Sequence, residues 1–199
     1  MLAQKGAFVT GVDLVPDNIF YAKKMAEELD IKNINFMEYD VMELKEKHQK
    51  KYDMVFTSEG VLCWLPDLNR WAETIKHLLN ENGFLYLLDN HPFYMALDEE
   101  KLKENKLEIK YPYFMREPAI EDEMLDYVSN KKMGINYGWM YKVSDIINPL
   151  VKAGLKIEYF NEYNSLYYDL GGIESSSNTY FPFFNTKVPF TFSLKARLI

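Results

Sequence analysis

Short apolar runs alternate with longer helical stretches along the first half of the chain. Between two of the runs, apolar residues recur every three or four positions from Ile19 to Leu29, which predicts an amphipathic helix. Alternating strands and helices are typical of an α/β fold with a mostly parallel sheet. Ligands of such sheets bind at the carboxyl ends of the strands. The predicted strands cover residues 7–13, 33–38, 53–57 and 84–89.

The alternation changes after residue 90. Residues 92–143 are rich in Tyr, Phe, Met and acidic side chains and show no clear period. An insertion that leaves a parallel sheet at the carboxyl end of a strand lies over the ligand crevice, so we expect a lid or substrate-binding insertion here. Ser144 is expected to cap a last helix that stops at Gly154. Residues 155–162 and 188–197 are expected to form a closing antiparallel pair.

Composition narrows the function classes. A chain of 199 residues, 48% hydrophobic, allows one domain over residues 1–199 with a substantial core. The net charge of −7 argues against binding to DNA or RNA, and no stretch approaches the ~20 apolar residues of a membrane span. The single cysteine, Cys63, excludes an internal disulfide and fits a reducing compartment. We therefore expect a cytoplasmic protein with a small-molecule substrate, and neither a nucleic-acid nor a membrane partner.

Several sequence blocks, taken in order, resemble the class I S-adenosylmethionine-dependent methyltransferases, and most closely their small-molecule members. The blocks are V-T-G-V-D-L with P-D-N-I-F-Y-A-K-K-M-A, then Y-D-V, then Y-D-M-V-F-T-S-E-G-V-L, and then L-L-N-E-N-G-F-L-Y-L-L-D. Their order and spacing carry the resemblance, since no single motif is specific. The resemblance implies a Rossmann-like methyltransferase sheet with an antiparallel C-terminal pair, S-adenosylmethionine as cofactor and methyl transfer to a small molecule.

The family's first strand and glycine-rich cofactor loop would precede Leu2, so we expect an N-terminally truncated sheet. Gly6 is expected to end the helix that follows that loop. The absent strand would lie between residues 7–13 and residues 53–57. Since unpaired strand edges are unfavourable, we expect direct pairing of these two segments or a strand from another chain, which makes a homo-oligomer one expectation.

The resemblance assigns cofactor roles to two strand ends. Asp13 would accept hydrogen bonds from the two ribose hydroxyls, with Leu14 packed on the adenine. Asp40 would accept from the adenine amino group, and the Val41 backbone N–H would donate to a ring nitrogen. Each aspartate also has a simpler interpretation, as the end of a strand or as the N-cap of the next segment.

Two further loops would lie near the reacting methyl group in a protein of this family. Ser58 and Glu59 follow one strand and would face the sulfonium and methionyl end of the cofactor. His91, in D-N-H-P-F, would face the transferred methyl, where its imidazole could take the proton of the substrate. The alternative for His91 is a structural histidine bonded to the turn. Methyl transfer to oxygen or nitrogen often needs only alignment.

Aromatic residues are the candidates for substrate binding. An aromatic lid could enclose an apolar or cationic substrate, or could simply form its own core. The histidines and the cysteine show no metal-ligand spacing, so no metal site is predicted. The candidate substrate-binding residues are Trp64, Tyr113, Tyr137 and Trp139.

Two other functions fit parts of the sequence. A degenerate, non-catalytic methyltransferase-like module for binding or dimerisation would agree with the missing glycine-rich loop. An NAD(P)-dependent oxidoreductase would need a G-x-G-x-x-G loop after its first strand, which the chain does not contain. The expected antiparallel closing pair also argues against the oxidoreductase.

Overall fold

The computed structural model describes residues 2–58, 60–122, 134–166, 184 and 186–199, with only the backbone of Ser58. The chain divides into two compact units, unit 1 (residues 1–50) and unit 2 (residues 51–199). Because a compact unit is not by itself an independently folding domain, a single domain over residues 1–199 stays a prediction.

Unit 1 is built around one parallel strand–helix–strand motif. Its elements are a 3-10 turn (Ala3–Lys5), β1 (Val9–Asp13), α1 (Pro16–Glu28), β2 (Ile34–Glu38), a second 3-10 turn (Val41–Glu43) and α2 (Leu44–Lys47). β1 and β2 pair in parallel, and α1 connects them. Pro16 opens α1, where its missing N–H costs nothing. Gly6 ends the first turn with a φ of 94°, a conformation that glycine adopts easily.

Unit 2 contains a four-stranded sheet and a separate small β pair. Its elements are β3 (Tyr52–Ser58), a 3-10 turn (Leu62–Trp64), α3 (Leu68–Leu78), β4 (Leu79–Asn90), α4 (Pro92–Met95), α5 (Glu99–Lys103), β5 (Ala119–Glu121), β6 (Asn136–Gly138), α6 (Val143–Ala153), β7 (Leu155–Tyr163) and β8 (Thr191–Leu198). The strand order of the sheet is β3-β4-β8-β7. β3 and β4 run parallel, and β8 runs antiparallel to both of its neighbours, which confirms the predicted closing pair.

The core of unit 2 lies against β4 and β8. Alternate residues of β4, including Leu85 and Leu87, are fully buried, and so are Phe192 and Leu194 of β8. α3 and α6 pack against each other through their apolar faces. None of the described helices is both long and apolar enough to cross a bilayer.

Two element boundaries differ from the sequence prediction. The Asn-Gly pair Asn82-Gly83 predicts the stop of the helix that precedes it. α3 instead ends at Leu78, because Leu79 already pairs with Tyr52 of β3. A Cβ at Gly83 would lie only 3.0 Å from the Tyr52 carbonyl oxygen, so glycine is needed for this close approach.

The second difference is at the start of α6. The predicted cap Ser144 lies inside the helix, and Lys142 is the N-cap. The carboxylate of Asp145 accepts hydrogen bonds from the backbone N–H and the Nζ of Lys142, at 3.2 and 2.5 Å. This ion pair fixes the first turn of α6. A capping pattern based on hydroxyl residues does not include it.

The strand pairing also differs from one expectation. β1 pairs with β2 and β3 pairs with β4, and no direct ladder joins β1 to β3 among the described residues. The expected direct pairing of residues 7–13 with residues 53–57 is therefore wrong. A strand supplied by another chain, and with it the homo-oligomer, stays a prediction.

The cap of α3 gives a test of the local folding argument. Asp67 Oδ1 accepts from the backbone N–H groups of Asn69 and Arg70, at 2.8 and 3.1 Å. Asp67→Ala should lower the free energy of unfolding by about 1 kcal/mol, because these two donors lose their acceptor. Urea unfolding followed by circular dichroism measures the change. Lys76→Ala, exposed on the same helix, is the control, and an equal loss in both variants would contradict the capping role.

Candidate functional site

The end of β1 in unit 1 presents a partly exposed carboxylate. Asp13 Oδ1 accepts from the backbone N–H of Val15 at 2.8 Å, and Oδ2 accepts from Asn18 Nδ2 at 3.1 Å. Each carboxylate oxygen has two lone pairs, so each can still accept a second hydrogen bond. The next residue, Leu14, is 64% exposed and offers an apolar surface. Asp13 therefore caps the turn into α1 and retains acceptor capacity on both carboxylate oxygens.

The end of β2 presents a second carboxylate beside the first. The backbone N–H of Tyr39 donates to the Asp13 carbonyl oxygen at 3.0 Å, so the two strand ends are adjacent. Asp40 Oδ1 accepts from the Met42 N–H at 2.8 Å and caps the turn that begins at Val41. No hydrogen bond to Asp40 Oδ2 is found among the described residues. The capping role and a ligand-binding role of Asp40 are thus compatible.

In unit 2, one buried carboxylate organises the loop after β3. Asp89, at the end of β4, is 3% exposed. Its Oδ1 accepts from the N–H groups of Gly60 and Asn90, and its Oδ2 accepts from that of Leu62, at 2.7 to 3.1 Å. Burial raises the pKa of Asp89, while the backbone donors oppose that rise. The sequence signal is an aspartate that directly ends the apolar run of β4.

A small cleft opens next to Asp89, at the carboxyl ends of β3 and β4. Its cavity volume is about 20 Å³, roughly the room that one water molecule needs, and its wall is mostly apolar. None of the described residues that line it is a lysine or an arginine. The lining residues are Leu62, Cys63, Asp89, Asn90, Pro92, Met95, Trp139, Tyr141 and Ile146.

The aromatic insertion contributes one side of this cleft. The backbone N–H of Trp139 donates to the Cys63 carbonyl oxygen at 2.8 Å. The hydroxyl of Tyr141 donates to the Leu65 carbonyl oxygen. Burial raises the pKa of Tyr141 well above its usual range, so its hydroxyl keeps the proton that it donates. Two hydrogen bonds thus hold the segment after β6 on the 3-10 turn after β3.

The predicted substrate-binding residues separate in the structure. Trp139 lines the cleft, and the ring of Tyr137 packs against it at a centroid distance of 6.5 Å. Tyr113 accepts from the Val143 N–H at the start of α6, 3.3 Å away. Trp64 is 45% exposed and does not line the cleft. Substrate binding by these four residues stays a prediction.

The candidate cofactor residues after β3 are only partly described. The backbone of Ser58 pairs with Leu88 in the last register position of β3 and β4. Glu59 lies outside the described residues. Their roles near the methionyl end of a cofactor stay predictions.

His91 is buried beside the sheet. Its Nδ1 accepts from the Phe93 N–H at 3.0 Å, and its Nε2 lies 3.0 Å from Glu162 Oε1 in a poorly directed contact. The ring edges contact Phe160 and Phe192. Burial lowers the pKa of His91, and Glu162 opposes this. The ring does not line the cleft, so its role as a general base stays a prediction.

Sequence reasoning did not single out Asn90, which lines the cleft, for substrate contact. Asn90 directly precedes the candidate base and lines the cleft in its place. The sequence signal that could have found Asn90 is its position at the carboxyl end of a buried strand, where ligands of such sheets bind.

Comparison with known proteins gives matches in sequence and in structure. The family model described as a methyltransferase domain matches residues 1–141. A curated relative, the ubiquinone biosynthesis O-methyltransferase of Glaesserella parasuis, is 30% identical over 90 residues, which are 43% of this chain. The match spans 37% of the length of that relative.

Solved structures share the fold of the chain. An S-adenosylmethionine-dependent methyltransferase from Mesorhizobium loti is 18% identical, with a TM-score of 0.65 over 96% of this chain and 80% of that one. Magnesium protoporphyrin IX methyltransferase from Synechocystis, solved with bound SAH, is 19% identical, with a TM-score of 0.57 over 100% of this chain and 67% of that one. These similarities confirm the predicted Rossmann-like methyltransferase fold.

The family match covers most of the chain, and the order of β1, α1, β2, β3 and β4 is the order that the sequence blocks predict. The chain belongs to the methyltransferase domain family, as the resemblance to class I S-adenosylmethionine-dependent methyltransferases indicates.

Proposed function

We propose that the protein binds S-adenosylmethionine and transfers its methyl group to a small molecule. The observation that carries the proposal is the pair of adjacent strand-end carboxylates, Asp13 and Asp40, each with acceptor capacity left over after its local hydrogen bonds. A nucleoside presents two ribose hydroxyls and an adenine amino group as donors, which these carboxylates suit. Family membership supports the same proposal.

The residues of unit 1 fit the adenosine half of the cofactor. Asp13 would receive the ribose hydroxyls, and the exposed Leu14 side chain would cover one face of the adenine. Asp40 Oδ2 would accept from the adenine amino group, with the Val41 N–H on a ring nitrogen. Each role uses an acceptor, a donor or an apolar surface that remains available after local capping.

The residues of unit 2 provide the place for the acceptor molecule. When bound, S-adenosylmethionine supplies a methyl group on a positively charged sulfur, which is already an activated donor. The chain itself would then mainly hold and align the acceptor and exclude water. We place the acceptor at the carboxyl ends of β3 and β4, beside Asp89, because ligands of such sheets bind at this edge and hydrogen bonds fix its loop.

The other functions considered from the sequence find no support in the comparisons. The family match and the named relatives are methyltransferases, and none of them is an oxidoreductase or a non-catalytic module. A small-molecule acceptor and a cytoplasmic location remain part of the proposal.

Asp13→Ala tests the ribose contact. The variant should bind S-adenosylhomocysteine more weakly by about 2 kcal/mol or more, because two charge-assisted hydrogen bonds lose their acceptor. Isothermal titration calorimetry measures the affinity. Asp17→Ala, which removes the same charge from the exposed first turn of α1, is the matched control. Equal affinities of both variants and the wild type, with unchanged melting curves, would rule out the contact.

His91→Gln separates a base from a structural histidine. We expect turnover within about tenfold of wild type and a lower melting temperature, because the ring is buried and both nitrogens already face partners. Release of S-adenosylhomocysteine with an acceptor found by screening measures the turnover. Glu162→Gln, which keeps the histidine, is the comparison. A loss of 10²–10⁴-fold in turnover at unchanged cofactor affinity would establish His91 as the base.

A further inference from the structure

The two ring nitrogens of His91 face different parts of unit 2. Nδ1 accepts from the backbone N–H of Phe93 at 3.0 Å and caps the start of α4. Nε2 lies 3.0 Å from Glu162 Oε1 of β7. Since Nδ1 accepts a hydrogen bond, it carries no proton, and a neutral ring must then carry its proton on Nε2. The neutral ring therefore lies between α4 and β7 and contacts both.

The His91 cap stands at the start of a very short helix. α4 covers only Pro92–Met95, and its first residue, Pro92, has no backbone N–H. Phe93 thus carries the first N–H of the helix, and the His91 ring is its acceptor. The same turn supplies Pro92 and Met95 to the wall of the cleft beside Asp89. The His91 cap therefore positions a turn that forms part of the cleft wall.

A second proton on the ring would act in opposite ways at the two nitrogens. An imidazolium ring donates at both nitrogens and accepts at neither. At Nδ1, two donors would face each other, and the Phe93 N–H would lose its acceptor. At Nε2, the positive charge would be attracted to the Glu162 carboxylate. Protonation therefore breaks the hydrogen bond to α4 and strengthens the contact with β7.

The groups around the ring control its charge. Burial lowers the pKa of His91, and the Glu162 carboxylate of β7 opposes this effect. On β4 itself, the carboxylate of Asp89 is bonded to backbone N–H groups of the loop after β3. β8 contributes the apolar ring of Phe192, and Tyr94, the titratable residue of α4, lies in an apolar cluster. Among the described residues, Glu162 is therefore the charged group that favours the protonated ring.

We propose that the His91 ring and the Phe93 N–H form a pH-sensitive latch, which holds α4 in place while the ring is neutral and releases α4 when the ring is protonated. In the released form the ring reaches water, where it binds a proton with the ordinary histidine pKa of about 6.5. The released form thus takes up more protons than the closed form. Closure of α4 is therefore most favourable above about pH 6.5 and weakens as the pH falls below that value.

Nitrogen NMR of the imidazole rings in the whole chain tests the state of the closed latch. At about pH 7.5, we expect His91 to carry its proton on Nε2 and none on Nδ1, because Nδ1 accepts from Phe93. The other two histidines, His48 and His77, serve as reference signals. A proton on Nδ1 of His91 at this pH would overturn the proposal.

Hydrogen exchange of the Phe93 amide measures the release. Its protection factor, which corrects for the pH dependence of exchange in an unstructured peptide, should fall about fivefold between about pH 7.5 and about pH 5, as the loss of one helix cap provides. The amide of Leu87, in the buried middle of β4, is the control and should keep its protection.

Substitutions separate the latch from a general effect of acid. His91→Asn keeps an acceptor for the Phe93 N–H and cannot gain a charge, so the protection of Phe93 should stay high at both pH values. His91→Leu removes the acceptor, so the protection should be low at both. Glu162→Gln removes the charge that favours the protonated ring, so His91 should titrate at a still lower pH. The comparison of the wild type with His91→Asn decides the test even if the leucine variant does not fold.

Two results of the exchange experiment would overturn the latch. One is equal protection of Phe93 at both pH values in the wild type, and the other is an equal fall in His91→Asn. The latch uses only the ring, the turn and a proton, so it is independent of the proposed methyl transfer. If S-adenosylhomocysteine does not bind at either pH while the Phe93 amide responds as expected, the latch stands and the proposed function falls.

Discussion

The buried carboxylate of Asp89 is the constraint on which the geometry of the cleft depends. It joins the end of β4 to the loop after β3 through the N–H groups of Gly60 and Leu62. Removing a carboxylate from water is unfavourable, and burial raises the pKa of Asp89 for that reason. The backbone donors oppose that rise in pKa, so the loop that carries them favours the charged form of Asp89. The same loop leads into the 3-10 turn Leu62–Trp64, to which Trp139 of the aromatic insertion is hydrogen-bonded.

The sheet and the cleft are linked through the ends of neighbouring strands. The parallel pairing of β3 and β4 brings both carboxyl ends to one edge, where the loop and Asn90 meet. β8 pairs antiparallel with the other edge of β4, so β4 lies inside the sheet. The apolar sheet therefore holds a small group of polar residues at one end, and few side chains are needed to position them.

Local patterns predicted the elements well, because their signals are local. The strand β1, the helix α1 and the closing strand pair all follow from the periodicity of apolar residues. The end of α3 was missed because Leu79 pairs with a strand that lies far earlier in the chain. His91 attracted attention for its chemistry, yet its ring packs against Phe160 and Phe192, contacts that no local pattern reveals.

The tether between the insertion and the loop has an evolutionary consequence. The bond from Trp139 to Cys63 joins two main-chain groups, so it does not require any particular side chain at either position. Side chains that line the cleft can therefore be exchanged while the insertion stays docked in the same place. A scaffold with this property separates change in these side chains from the maintenance of the fold, and related chains can differ here without rebuilding the contact between the insertion and the loop.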